Sequence, residues 1–274
     1  MQDRSVSEYL SFDRVAADYD ATRFLPEPVR DAVVEQLLSA AALSPGEWLL
    51  DAGTGTGRFA LPLARRDVRV LAVDVSVKMM RQLLRKHPPA SLCLAQADLR
   101  RLPVRTQSVG AVLMAHVLHL IADWRAVLHE CRRVLRGGGG LFLLYESGKR
   151  FPAREHYLQL AGERGLLRPT IGAPSAEVVL GYVRELGATV ELIEHPSLQW
   201  RASRSHREVL QEMDKRTYSQ MWELPDEAHR ELMTQTRRWV REQFGSEDAV
   251  ISAEAVVKLY AVRFPDPSSH PHES

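Results

Sequence analysis

The segment Trp48-Leu49-Leu50-Asp51-Ala52-Gly53-Thr54-Gly55-Thr56-Gly57-Arg58-Phe59 constrains the fold of this 274-residue chain more than any other. A short apolar run ends on an acid, crosses three glycines at alternate positions and opens into a helical pattern near Arg58. That order predicts a strand, a tight loop and a helix N-terminus. Glycine lets the backbone turn sharply and lets a ligand approach where a Cβ would intrude. The helix start adds free N–H groups and a partial positive charge. Such a loop takes a nucleotide-like ligand, and the spacing narrows which one. A dinucleotide fingerprint, G-x-G-x-x-G, seats its pyrophosphate on the helix N-terminus. Counted from Gly53 and Gly55, its third glycine falls on Arg58. Asp51 would repel a pyrophosphate and attract an ammonium, so a ligand with an amino-acid end and no phosphate fits better. An NAD-dependent oxidoreductase is the disfavoured alternative.

The pattern D-x-G-x-G-x-G, Asp51 to Gly57, resembles motif I of the class I S-adenosylmethionine-dependent methyltransferases in their small-molecule branch. The resemblance implies that the acid and glycines hold the methionine part of the cofactor, with Asp51, Ala52, Gly53, Thr54, Gly55 and Gly57 as the residues concerned. What lies downstream keeps the register. Val68 to Val73 is a second strand ending on Asp74, about 20 residues past the first glycine, where a carboxylate can accept from both hydroxyls of a ribose. Val75-Ser76 continues the family's D-x-S pattern, and Met79 is placed to pack on adenine. Leu92 to Ala97 is a third strand. Asp98 and Leu99 belong to an A-D-x-x-x-L-P element, Ala97 to Pro103, which in the family brings the acid near the adenine amino group. Val109 to Ala115 is a fourth strand, and the resemblance makes Ala115 and the backbone of His116 neighbours of the cofactor.

Upstream, Phe12 to Asp20 resembles the signature F-x-x-x-A-x-x-Y-D, in which Tyr19 and a nearby arginine such as Arg23 help cover the cofactor. Residues 5–24 read as one or two polar helices with the aromatic stripe Tyr9, Phe12, Tyr19 and Phe24, and residues 28–42 have helical apolar spacing. A helix over 58–66 has to accommodate Pro62, which is tolerated only in its first turn. Trp124 to Leu135 is a helix closed by Gly137 to Gly140, where R-V-L-R-G-G-G resembles the family's R-V-L-K-P-G-G turn. Leu141 to Tyr145 is the fifth strand, Ser175 caps a helix ending at Gly187, Thr189 to Ile193 is the sixth strand and Ala255 to Phe264 the seventh.

Near-continuous apolar strands alternating with helices describe an α/β fold with a doubly wound, seven-stranded, mostly parallel sheet. By resemblance the last strand is antiparallel and sits beside the fifth. Residues 1–264 form one domain: cap helices over 1–43, a cofactor-binding core over 44–148, and helical lid insertions over 149–174 and 203–249. Ser205-His206-Arg207-Glu208 is a capping box opening the second insertion. Residues 265–274, rich in Pro, Ser and His, read as a disordered tail.

Composition excludes several classes. A formal charge of +1 gives no global pull toward nucleic acid or anionic membrane. The basic pairs Arg65-Arg66, Arg85-Lys86, Arg100-Arg101 and Arg132-Arg133 read as solvated faces. Cys93 and Cys131, without a C-x-x-C, read as buried apolar residues, and no H-E-x-x-H offers a metal site. No apolar stretch approaches the ~20 residues of a membrane span, so a cytoplasmic setting is expected.

Methyl transfer requires donor carbon and acceptor atom to be aligned, and a base only where the acceptor must first lose a proton. No Asn-Pro-Pro-Tyr follows the fourth strand. Val117-Leu118-His119 resembles the segment of plant-type O-methyltransferases that carries their catalytic histidine, which makes His119 the candidate base; Leu120 stands where that segment has an acid. The expected partner is a small organic acceptor, methylated on oxygen or carbon, since the quinone-ring and biotin-pathway carboxyl methylating enzymes share this core. A catalytically silent S-adenosylmethionine-binding module would carry the same cofactor residues.

Overall fold

The computed structural model describes residues 12, 13, 16, 19–22, 25–148 and 150–265. Arg23, Tyr9, Phe24 and the tail beyond Pro265 lie outside them. A short helix α1 (Tyr19–Thr22) precedes α2 (Glu27–Ala41), which has Pro28 in its first turn and buries Val29, Val33, Val34 and Leu37. Then follow β1 (Trp48–Ala52), α3 (Ala60–Ala64), β2 (Arg69–Asp74), α4 (Val77–Leu84), β3 (Leu92–Gln96), β4 (Val109–Ala115), α5 (Trp124–Val134) and β5 (Leu135–Ser147). Pro62 lies in the first turn of α3, where its missing N–H breaks no helical bond. The last part contains α6 (Pro152–Glu163), α7 (Ala176–Glu185), β6 (Thr189–Ile193), β7 (Gln199–Ser205), α8 (His206–Asp214), α9 (Asp226–Phe244) and β8 (Val250–Arg263).

The sheet order is β3-β2-β1-β4-β5-β8-β6, with β7 also paired to β8. β3, β2, β1, β4 and β5 are parallel, while β8 runs antiparallel between β5 and β6. Successive strand residues point to opposite faces. Leu49, Leu113, Phe142 and Leu144 meet α2 and α3 on one side, and Leu50, Val112, Leu141 and Leu143 meet α5 and α7 on the other. Both faces are covered, as the near-continuous apolar strands require.

Among the described residues the sheet has eight strands where seven were expected. β8 begins at Val250, and its first half pairs with β7 from Ser205↔Val250 to Gln199↔Val256. β7 is polar and half-exposed, held by cross-strand contacts such as Ser203 Oγ to Ser252 Oγ at 2.8 Å and Arg201 to Glu254 at 2.9 Å, so it shows no apolar run. Residues 203–205, placed in a helical insertion by their sequence, are the end of this strand. The stretch Gly137 to Gly140 differs as well. Gly137 to Gly140 lie within β5, and the register shifts from Val109↔Leu135 to Ala111↔Gly140, so the expected turn is a wide bulge. Gly138 has φ +74°, and a Cβ on Gly139 would stand 2.9 Å from the carbonyl oxygen of Gly110. Cys131 is buried, but Cys93 is exposed, on β3 at the end of the strand order.

A third core forms away from the two sheet faces. Phe151 and Tyr157 of the α6 region, Val209, Leu210 and Met213 of α8, Met221, and Leu232 and Val240 of α9 pack together against Ala202, Ile251 and Ala253 of the β7–β8 ribbon. The capping box is present: Ser205 Oγ accepts from the Glu208 N–H at 3.3 Å, and Glu208 accepts from the Ser205 N–H at 2.8 Å. Among the described residues, no helix is long and apolar enough to cross a membrane. The basic pairs meet acids: Arg66 with Asp31 at 3.7 Å, Lys86 with Asp20 at 2.6 Å, Arg100 with Asp98 at 2.6 Å and Arg133 with Glu130 at 2.7 Å.

Candidate functional site

The turn after β1 is pinned by β2. The N–H groups of Gly53 and Thr54 both donate to the Val73 carbonyl, at 2.8 and 2.9 Å. Gly53, Gly55 and Gly57 all adopt left-handed φ, +80°, +56° and +81°, which glycine adopts without strain. Their surroundings give them different tasks. Gly53 and Gly55 line a cavity; a Cβ on Gly53 would lie 2.3 Å from Val117 Cγ2, and one on Gly55 3.2 Å from Met79 Cε. Gly57 is absent from the lining, and its Cβ would collide with Leu83 at 2.7 Å. It brings α3 and α4 close to one another.

The cavity measures about 100 Å³ and lies at the carboxyl ends of the parallel strands, where open α/β sheets hold their ligands. The end of β2 supplies Asp74 and Val75, and the first turn of α4 supplies Met79. Asp98 and Leu99 enter after β3, and Ala115 and His116 at the end of β4. Phe12 and Tyr19 close it from the N-terminal segment, their rings meeting edge-on with centroids 5.6 Å apart.

Asp74 is the organising group. One carboxylate oxygen accepts from the Gly55 N–H at 2.7 Å and the other from the Ser76 N–H at 2.8 Å. Each oxygen keeps acceptor capacity for a further donor. Burial raises its pKa, against those amide bonds, and Asp13 adds repulsion. Ser76 caps α4 by accepting from the Met79 N–H at 3.1 Å and donates its own hydroxyl proton to Asp13. On the far side, Asp98 is held by Arg100, whose Nη2 stands 2.6 Å from Oδ2 and whose N–H donates to Oδ1 at 2.9 Å. The Arg100 bond keeps the Asp98 carboxyl below the usual range.

Asp51, Ala52 and Thr54 lie beneath the cavity, buried at 3%, 0% and 6% exposure, and do not line it. Asp51 accepts from Thr54 Oγ1 at 2.7 Å. Burial pushes its pKa up to about 6, with Asp74 adding to the rise and the bonds from Thr54 and the Ala60 amide opposing it. His119 sits in the short 3-10 turn Leu118–Leu120, its carbonyl accepting from the Gly172 N–H at 3.2 Å, and is not part of the cavity lining.

Sequence reasoning missed three groups. Arg100 was read as a solvated cation, yet it lines the cavity paired to Asp98. Its position two residues after the acid, in a loop, is the signal that marks the pair. Asp20 binds Thr56 Oγ1 at 2.5 Å and Lys86 Nζ at 2.6 Å, tying α1 to the glycine loop and α4. Glu146, near the end of β5, accepts from Arg58 Nη1 at 2.6 Å and stands 3.6 Å from His116 Nε2. Nothing in their spacing links residues 58, 116 and 146; only the strand order brings them together.

Known proteins are similar to this chain over its central part. Residues 50–143 match the family model described as a methyltransferase domain. The chain is 33% identical over 155 residues to malonyl-[acyl-carrier protein] O-methyltransferase of Serratia marcescens, covering 56% of this chain and 58% of that one. It is 35% identical over 142 residues to the ubiquinone/menaquinone biosynthesis C-methyltransferase UbiE of Syntrophotalea carbinolica, covering 48% and 58%. The matches thus span less than two thirds of those relatives. Among solved structures, a putative type II methyltransferase from Anaeromyxobacter dehalogenans superposes with a TM-score of 0.58 at 22% identity, over 86% of this chain and 97% of that one. The YcgJ protein from Bacillus subtilis gives 0.57 at 15%, over 85% and 98%. These two share the fold. Over residues 50–143 the chain is thus similar to the methyltransferase domain family, and its fold is that of these two solved structures.

Proposed function

We propose that the chain is an S-adenosylmethionine-dependent methyltransferase acting on a small organic acceptor, at oxygen or carbon. The observation that carries the reading is the convergence on one cavity of the Gly53–Gly55 cradle, Asp74 and the Asp98–Leu99 pair. When bound, S-adenosylmethionine supplies an electrophilic methyl group on a sulfonium. Asp74 has acceptor capacity for the two ribose hydroxyls, and Met79 and Leu99 offer apolar walls for adenine. Asp98, kept ionised by Arg100, is an acceptor for the adenine amino group. Asp51 sets a negative charge under the loop for an ammonium. Ala52, Thr54 and Gly57 hold that loop's shape from below. Val75 and Ala115 complete the wall, and His119 serves the shelf beside it rather than proton transfer.

Ligand pockets usually enclose at least ~300 Å³, so a cavity of about 100 Å³ has to open to admit a nucleoside. Tyr19, with Arg23 of the family pattern, and the insertions over 149–174 and 206–249 make the lid in this proposal. Phe12 supports it by touching both parties: it lines the cavity and packs on Trp222 of the insertion, ring centroids 4.8 Å apart. The names of the relatives allow both O- and C-methylation.

The test is turnover. Incubation with S-adenosylmethionine and a panel of phenols, enolisable dicarbonyls, carboxylic acids and amines should yield S-adenosylhomocysteine above background with one class. Tight cofactor binding without turnover on any class would favour the silent module instead.

A further inference from the structure

His116 directly follows β4 with φ +56°, a conformation few residues other than glycine adopt and one that gathers at functional sites. There the ring meets Glu146, Nε2 standing 3.6 Å from Oε1. The Glu146 side chain is 13% exposed and is anchored by Arg58, itself 18% exposed, at 2.6 Å. His116 Nε2 is buried and has no hydrogen-bond partner. Yet 32% of the side chain is accessible, and the residue lines the same cavity as Gly53, Gly55 and Asp74. One ring nitrogen therefore faces a carboxylate, while the accessible part of the residue belongs to the cavity wall.

A lone pair at Nε2 would be repelled by that carboxylate, and an N–H attracted. Glu146 thus selects the Nε2–H tautomer and leaves the lone pair on Nδ1 as the basic position. This is the division of labour between an imidazole and an orienting carboxylate in hydrolytic triads. The gap of 3.6 Å exceeds a hydrogen bond, and such contacts commonly tighten when ligand binds.

We propose that His116 takes the acceptor's proton on Nδ1, with Glu146 as the positioning residue and Arg58 holding Glu146. The proposal rests on the methyltransferase reading and narrows its substrate. The acceptor carries a weakly acidic O–H or C–H, as a phenol or an enolisable carbonyl does. A carboxylate, tertiary amine or thioether has no proton to give. In the step, the acceptor's X–H bond breaks, the electron pair stays on X, and the proton bonds to Nδ1. The imidazolium so formed is stabilised by Glu146 and later returns its proton to water.

The direct test is the protonation state of the ring. Nitrogen-15 NMR of histidine-labelled protein at pH 7.5, with His116 assigned by the loss of its signals in His116→Gln, should show Nε2 protonated and Nδ1 bare. Glu146→Gln should shift His116 toward a mixture of tautomers. Calorimetry with S-adenosylhomocysteine should find Glu146→Gln within a few-fold of the wild-type affinity, while His116→Gln, at saturating S-adenosylmethionine, lowers turnover of a protic acceptor by about 10²–10⁴. An Nδ1–H tautomer or an imidazolium in the wild-type protein at that pH overturns the proposal, whatever the variants do. So does a tautomer indifferent to Glu146→Gln in protein that still melts cooperatively. Failure of the wild type to bind S-adenosylhomocysteine would instead remove the methyltransferase reading, and is a separate result.

Discussion

Asp51 and Asp74 flank one loop and show how neighbouring carboxylates take different work from their surroundings. Asp74 reaches the cavity and is satisfied by two amides, whereas Asp51 is buried under it with a pKa near 6. Because that value lies above the 3.8 of a free aspartate, the folded chain binds more protons than the unfolded chain between about pH 4 and 6. Stability therefore falls as pH rises through that window, and above it the ionised Asp51 costs about 3 kcal/mol. A cation bound over the loop offsets this cost. S-adenosylmethionine should thus bind more tightly as pH rises from 5 to 6.5, with proton release near pH 6, and Asp51→Asn should flatten the dependence. Calorimetry in two buffers of unequal ionisation enthalpy measures it, and a flat wild-type profile would contradict the role. At this scale the sequence shows the acids and glycines plainly, because motif spacing is local. It does not show that Gly57 packs helices while Gly53 and Gly55 line a cavity, or that Arg100 is a cavity residue, because those depend on what the fold brings opposite.

Strands with both faces buried were legible to within a residue or two, since β1, β2 and β4 are continuous apolar runs. β7 was not, because a ribbon with one solvated face and serine and arginine side chains has no such run. The third core carries buried polar groups that its apolar stripe did not announce. His206 is fully buried against Phe244, with ring centroids 4.2 Å apart, and its two ring nitrogens have no hydrogen-bond partner. His229 Nδ1 meets the Tyr157 hydroxyl at 2.6 Å, with Arg216, Asp214 and Asp226 also acting on it. Burial lowers both histidine pKa values. The unfolded chain then takes up protons below its ordinary value near 6.5 while the folded one resists. Stability of this layer is complete above that pH and is lost as pH falls below it. Hydrogen exchange, corrected for the intrinsic rate, should show α6, α8 and α9 losing protection between pH 7 and 5 before the parallel strands do. Uniform loss across the molecule would contradict this. His206→Phe should remove part of the effect.

For the whole molecule, the parallel half of the sheet builds the cofactor end, and the β7–β8 ribbon carries a helical layer beside it. The two meet at Phe12 and Trp222, an arrangement invisible in sequence because the residues are 210 positions apart. If the N-terminal segment and this layer close over the ligand, amides around Tyr19 and residues 206–244 should exchange faster than the strands in the free protein. They should slow when S-adenosylhomocysteine and acceptor bind. Equal protection of all segments without ligand would make the layer a fixed wall.

The central claim is that this cavity holds S-adenosylmethionine through Asp74. Calorimetric titration of the full chain with S-adenosylhomocysteine at pH 7.5, beside NADH, addresses it directly. One saturable site should appear for the first ligand and none for the second. Asp74→Ala should weaken binding by roughly ten- to a hundred-fold, since a hydrogen bond to a charged group contributes about 1.5–3 kcal/mol. Undiminished affinity in Asp74→Ala, or tight NADH binding to the wild type, would contradict the account.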